Sequence, residues 1–93
     1  MPDVCRALGY SETMRIGRMA AAHSVLLSPH VVHELSLHIV GALPNGFLVE
    51  FIDWTPPGLF EDMPACKDGH FRIPDRPGHG MALTAEAIKK YRQ

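Results

Sequence analysis

The sequence predicts an α/β chain organised around a parallel sheet, and three observations lead there. Short apolar runs of strand character, at residues 25–27 and 47–52, alternate with two helix patterns. The connections between them are short, which argues for right-handed βαβ units. One residue able to do chemistry lies at or near the end of each apolar run: Asp3 in Met1-Pro2-Asp3, His30 in Ser28-Pro29-His30, and Glu50 in Leu48-Val49-Glu50-Phe51. Parallel α/β barrels gather their chemistry at the carboxyl ends of successive strands.

Each element has its own local reason. Residues 4–10 read as a strand exit followed by a loop. Ser11 is the expected N-cap of a first helix over residues 12–23, with Glu12 favoured at its positive end. Met14, Gly17 and Ala21, with Met19, Ala20 and Ala22 nearby, give this helix a small-residue face able to lie close against a sheet. Residues 25–27 form a continuous apolar run, expected to be a strand buried on both faces and ended by Pro29. A second helix is expected over residues 33–43, with Leu35, Ile39 and Ala42 on one face. Pro44-Asn45-Gly46 stops it, and residues 47–52 supply the next strand.

After Asp53 the pattern changes. Most of the eight prolines and eight glycines fall here, so the chain divides into a regular part, residues 1–53, and a loop-rich part, residues 54–93. Residues 69–73 read as one arm of a small hairpin. Gly78-His79-Gly80 reads as a turn that needs permissive backbone angles. Thr84 is the expected cap of a last helix running to Tyr91, with Glu86 in its first turn.

Composition removes several classes of function. A net charge of −1, from nine basic and ten acidic side chains, gives no electrostatic case for nucleic acid or an anionic membrane. No apolar run approaches the roughly 20 residues that span a bilayer, and no signal peptide is visible. Cys5 and Cys66 are expected to be thiols of a reducing cytoplasm. Two strands and two helices cannot close a barrel, and their open sheet edges invite association. The chain is therefore expected to need a partner, either missing sequence or another copy of itself in a homo-oligomer.

Three motifs lose on inspection. His33 and His38 are five apart, roughly 140° around a helix, whereas a zinc-protease pair needs a spacing of four. Cys5 and Cys66 have no metal-ligand spacing. No serine or cysteine is placed as a nucleophile, and Asp3 beside Cys5 disfavours a thiolate, so a small hydrolase built on His30 and Asp3 is weak. The residues Asp3, His30 and Glu50 are individually ordinary. Taken together on neighbouring strand ends they have a chemistry: an aspartate fixes a histidine's tautomer and raises its basicity. A buried, protonated glutamate alongside would donate to a developing oxyanion.

These residues carry a resemblance. Pro2-Asp3 with Leu8-Gly9-Tyr10-Ser11-Glu12, Ser28-Pro29-His30, Leu37-His38 with Ala42-Leu43-Pro44-Asn45, then Glu50, Asp68-Gly69-His70-Phe71-Arg72-Ile73-Pro74-Asp75 and Pro77-Gly78-His79-Gly80 occur in order. So arranged, the chain resembles the C-terminal portion of the enolase superfamily, within the mandelate racemase and muconate lactonizing enzyme family. The usual double glycine is replaced by Leu8-Gly9. The resemblance implies the C-terminal fragment of a (β/α)8-type barrel, its last two to three βα units, plus the return to a capping domain. It implies His30 as the catalytic histidine, Asp3 as its dyad partner, and Glu50 as the residue that hydrogen-bonds the substrate carboxylate as an enediolate forms. It further implies Mg2+ in the full-length family, with the magnesium carboxylates and a lysine base absent from these 93 residues. The expected function is a segment of a magnesium-dependent acid-sugar dehydratase or hydroxy-acid racemase, inactive alone. The alternative is a non-catalytic remnant or interaction module lacking the metal site.

Overall fold

The computed structural model describes all 93 residues, which form two compact units, Met1–Ile52 and Asp53–Gln93. The first contains helices α1, Tyr10–Ala22, and α2, His33–Ala42. The second contains a hairpin of β1, Cys66–Lys67, and β2, His70–Phe71, followed by helix α3, Ala85–Tyr91.

In the first unit three extended segments lie side by side. Asp3 bridges His30 and Leu27 bridges Gly46, both in parallel, so the middle segment touches both neighbours. The His30 N–H donates to the Pro2 carbonyl at 2.9 Å, and the Leu27 N–H donates to the Asn45 carbonyl at 2.8 Å. The Phe47 N–H closes the second bridge by donating to the Leu27 carbonyl at 2.9 Å. The expected strand at residues 25–27 is thus reduced to one bridge at Leu27, residues 47–52 contribute only the Phe47 N–H beside the bridge at Gly46, and the only ladder is the antiparallel hairpin of the second unit. Burial of residues 25–27 on both faces also fails, since Leu27 is buried but Val25 and Leu26 are 53% and 61% exposed; Phe47 and Leu48 are exposed as well. The reason is coverage, because two helices and three short segments do not supply layers for both faces of a sheet.

Helix α1 begins one residue before Ser11, and its cap is Gly9, not Ser11. Leu8 and Gly9 have φ of 63° and 95°, which turns the chain sharply into the helix. The Thr13 N–H and hydroxyl then both donate to the Gly9 carbonyl, at 3.2 and 2.9 Å. The small-residue face has a visible purpose at Gly17. A Cβ there would overlap the Leu43 side chain, so glycine permits α1 to approach the core of Val4, Leu27, Ile39 and Leu43. The Asn45 amide adds a polar tie by donating to the Gly17 and Val25 carbonyls at 3.1 and 2.8 Å.

Helix α2 is buried more widely than the expected face. Ile39 is buried and Leu35 packs at the core edge, but Ala42 is exposed, while His33, Glu34, Ser36 and Leu37 are buried. A helix covered on two sides shows no single stripe, which is why the 3.6-residue pattern pointed to the wrong third position.

In the second unit the hairpin turns through Asp68 and Gly69, with φ of 51° and 75°. Positive φ at both central residues is the tight-turn geometry that Asp-Gly favours. Residues Gly78 and Gly80 also have positive φ, at 66° and 73°. Thr84 caps α3, its hydroxyl accepting the Ala87 N–H at 3.0 Å and donating to the Gly58 carbonyl at 2.6 Å. No helix is long and apolar enough to cross a membrane.

Candidate active site

Asp3 is placed by its own turn. Its Oδ1 accepts the N–H groups of Cys5 and Arg6 at 2.8 and 3.1 Å. That fixes the carboxylate plane and leaves Oδ2 facing His30 Nδ1 at 3.5 Å and Arg6 Nε at 3.6 Å. The Asp3 carboxyl is held below the usual carboxylate range. The Arg6 N–H is the main cause, opposed by partial burial and aided by the Cys5 N–H, the His30 ring and the Arg6 guanidinium.

The His30 ring lies between two carboxylates. Its Nδ1 faces Asp3, and its Nε2 lies 3.8 Å from Glu50 Oε2. The parallel bridge between residues 3 and 30 sets the first distance, because paired residues on adjacent segments place their side chains on one face. Glu50 is not buried as expected, its side chain being 34% exposed. Its Oε2 accepts the Val31 N–H at 2.9 Å, so the backbone beside the histidine is tied to the same carboxylate that its ring faces. Both ring contacts are long for hydrogen bonds, as those of catalytic groups often are before substrate binds.

Several features of the site escaped the sequence. The first is the backbone after His30. Val31 and Val32 have φ of 44° and 39°, a left-handed conformation that β-branched residues rarely adopt and that costs about 1–3 kcal/mol each. Val-Val before a helix reads as extended chain, so no sequence signal marks this turn. The second is Ser36. It is fully buried, and its hydroxyl donates to the Val31 carbonyl at 2.9 Å. Arg6 also went unnoticed, although a cation three residues after an aspartate in a turn was a readable hint. His33 is buried and meets Phe51 edge-to-face with ring centroids 4.8 Å apart. It thereby steadies the residue next to Glu50.

Chemically, an Nδ1–H pointing at Asp3 leaves Nε2 with its lone pair on the Glu50 side. The half-exposed ring, 47% accessible, is able to exchange a proton with a small molecule on that side. The chain's own residues do not fit a magnesium site, since no group of three or more histidine, cysteine, aspartate or glutamate side chains is placed to hold a metal ion.

Comparison with known proteins adds the wider context. A family described as enolase C-terminal domain-like matches residues 1–87. The chain is 36% identical to an L-talarate/galactarate dehydratase of Salmonella typhimurium over 92% of its own length, and 32% identical to a 3,6-anhydro-alpha-L-galactonate cycloisomerase of Streptomyces coelicolor over 94%. It superimposes with a TM-score of 0.85 on an L-talarate dehydratase of Polaromonas sp. JS666 complexed with Mg and L-glucarate, at 31% identity over 96% of the chain. It spans 21% and 24% of the first two relatives and 25% of the third.

Proposed function

The chain belongs to the enolase C-terminal domain-like family, an α/β fold, and from that premise we propose that it supplies the proton-transfer histidine of a magnesium-dependent acid-sugar dehydratase. In this reading residues 1–53 are the closing βα units of a (β/α)8-type barrel and residues 54–93 the return to its capping domain. The remaining three quarters of such an enzyme would complete the site and hold the metal, and the exposed Val25, Leu26, Phe47 and Leu48 would be covered there. The free thiols Cys5 and Cys66 suit a cytoplasmic location.

One observation carries the assignment: a single imidazole flanked by Asp3 Oδ2 on one nitrogen and Glu50 Oε2 on the other, at 3.5 and 3.8 Å. Asp3, ionised and fixed by two N–H groups, accepts a hydrogen bond from Nδ1–H and so stabilises the imidazolium that forms. His30 Nε2 takes the proton α to the substrate carboxylate and, as imidazolium, returns it to the β-hydroxyl, so that the β C–O bond breaks, water leaves and the α–β double bond forms. Glu50 faces the substrate carboxylate as negative charge moves onto it. Dehydration is preferred to racemisation because similar proteins are acid-sugar dehydratases, which makes a dicarboxylic sugar acid such as galactarate or talarate the first substrate to try.

The test is a chimera in which this chain replaces the corresponding quarter of the Salmonella dehydratase. With magnesium it should dehydrate galactarate or talarate, and His30→Ala should lower kcat by about 10²–10⁴-fold. Turnover indifferent to His30→Ala, or turnover by the 93-residue chain alone, would overturn the assignment. The second reading, a non-catalytic interaction module, is favoured by the missing metal-ligand cluster. A folded chimera that binds magnesium and stays inactive would support it.

A further inference from the structure

The turn between His30 and α2 is held in a conformation that its two valines resist. Val31 and Val32 both have left-handed backbone angles, with φ of 44° and 39°. Such a turn persists only where its surroundings hold it from several sides. Here Val31 is gripped at both ends. Its N–H donates to Glu50 Oε2 at 2.9 Å, and its carbonyl accepts the Ser36 hydroxyl at 2.9 Å. Val32 follows, its carbonyl accepting the N–H groups of Leu35 and Ser36 at 2.9 Å. Ser36 is fully buried, so its hydroxyl has no water to turn to if the turn relaxes.

From this geometry we infer that Ser36 is a positioning residue for His30. It clamps the strained turn, and the clamp keeps the imidazole between Asp3 and Glu50. The inference rests on the proposed role of His30, yet it concerns where the ring sits and not whether turnover occurs. Glu50 gains a second duty from the same contact, since the carboxylate that faces Nε2 also restrains the backbone of the next residue. Relaxing Val31 to an extended conformation would swing its N–H off Glu50 and rotate the adjoining His30 away from the bridge with Asp3.

The experiment uses all 93 residues and a double-mutant cycle. Ser36→Ala removes the clamp. Val31→Gly removes much of the strain, since glycine takes left-handed angles freely. The readouts are the ring ¹H and ¹⁵N resonances of the six histidines and the exchange protection of the residue 31 N–H, corrected for intrinsic rates. In the wild-type background Ser36→Ala should shift the His30 ring signals and lower protection of the N–H by roughly fivefold, the loss of one buried hydrogen bond. In the Val31→Gly background the same change should leave both readouts within roughly twofold. If Ser36→Ala unfolds the chain, adding Val31→Gly should restore the fold. Equal effects in both backgrounds, an unfolded double variant, or a Ser36→Ala chain with unmoved His30 signals would each overturn the inference. Turnover is not measured, so failure here leaves the dehydratase proposal standing, and failure of the chimera leaves the clamp standing.

Discussion

Asp3 shows how one short side chain can set both a local turn and a candidate chemical group. Two N–H groups occupy one of its oxygens and leave the other for His30. Because its carboxyl titrates below the ordinary value of 3.8, ionised Asp3 favours the folded chain. That contribution is complete above 3.8 and is lost as pH falls through the lower folded-state pKa. In urea unfolding between about pH 2 and 6, Asp3→Asn should flatten the acid limb of stability against pH. An acid limb identical to wild type would show that the turn does not depend on the charge. Tyr10 behaves in the opposite direction. Burial, with smaller repulsion from Cys5 and Glu34, pushes its phenol above 10, and its hydroxyl donates to the Leu35 carbonyl at 3.2 Å. Neutral Tyr10 therefore stabilises the fold below about pH 10 and loses that contribution as pH rises through the raised value. Tyr10→Phe should cost about 1 kcal/mol at neutral pH, measured by chemical denaturation, and remove part of the alkaline destabilisation.

Among the elements, α1 depends on a close approach that only a missing side chain permits. Gly17→Ala gains helix propensity but drives a methyl into Leu43. The net effect should be a loss of about 1 kcal/mol in denaturant unfolding, whereas an exposed helix position would gain stability from the same change. Asn45 links what the bridges alone hold weakly, joining α1 to the segment around Val25 through two amide hydrogen bonds. Asn45→Ala should cost about 1–3 kcal/mol, and the loss should appear first as faster exchange of the Leu27 N–H, whose acceptor is the Asn45 carbonyl. In the second unit the Thr84 cap was readable from residue type, although its hydroxyl also reaches the Gly58 carbonyl, whereas Gly69, expected in a hairpin arm, lies in the turn with Asp68.

At the scale of the molecule, the dominant fact is uncovered apolar surface. Val25, Leu26, Phe47, Leu48 and Phe51 are about half or more exposed, beside a core centred on Val4, Leu27, Ile39 and Leu43. Burying such surface is worth about 25 cal/mol per Å², so the chain on its own should associate. Sedimentation at rising concentration should show growth beyond the monomer, and Phe47→Ser with Leu48→Ser should suppress it. Mixing the chain with the complementary three quarters of the Salmonella dehydratase should do the same by covering that surface.

The amino-acid order alone determined much of the framework. Helix positions followed from the cap at Thr84, from stops such as Pro44-Asn45-Gly46 and from residue propensities, all of which act within a few residues. The order of Asp3, His30 and Glu50 on neighbouring segments was also legible, as was the family likeness. Tertiary structure decided the rest. It reduced the strands to bridges, put Gly9 in place of Ser11 as the cap, left Glu50 partly exposed and bent Val31 and Val32 into a conformation their side chains disfavour. These outcomes depend on which atoms meet across long stretches of chain. Ser36 reaches the Val31 carbonyl and Glu50 the Val31 N–H only after the helices have packed, and no local preference encodes such a meeting.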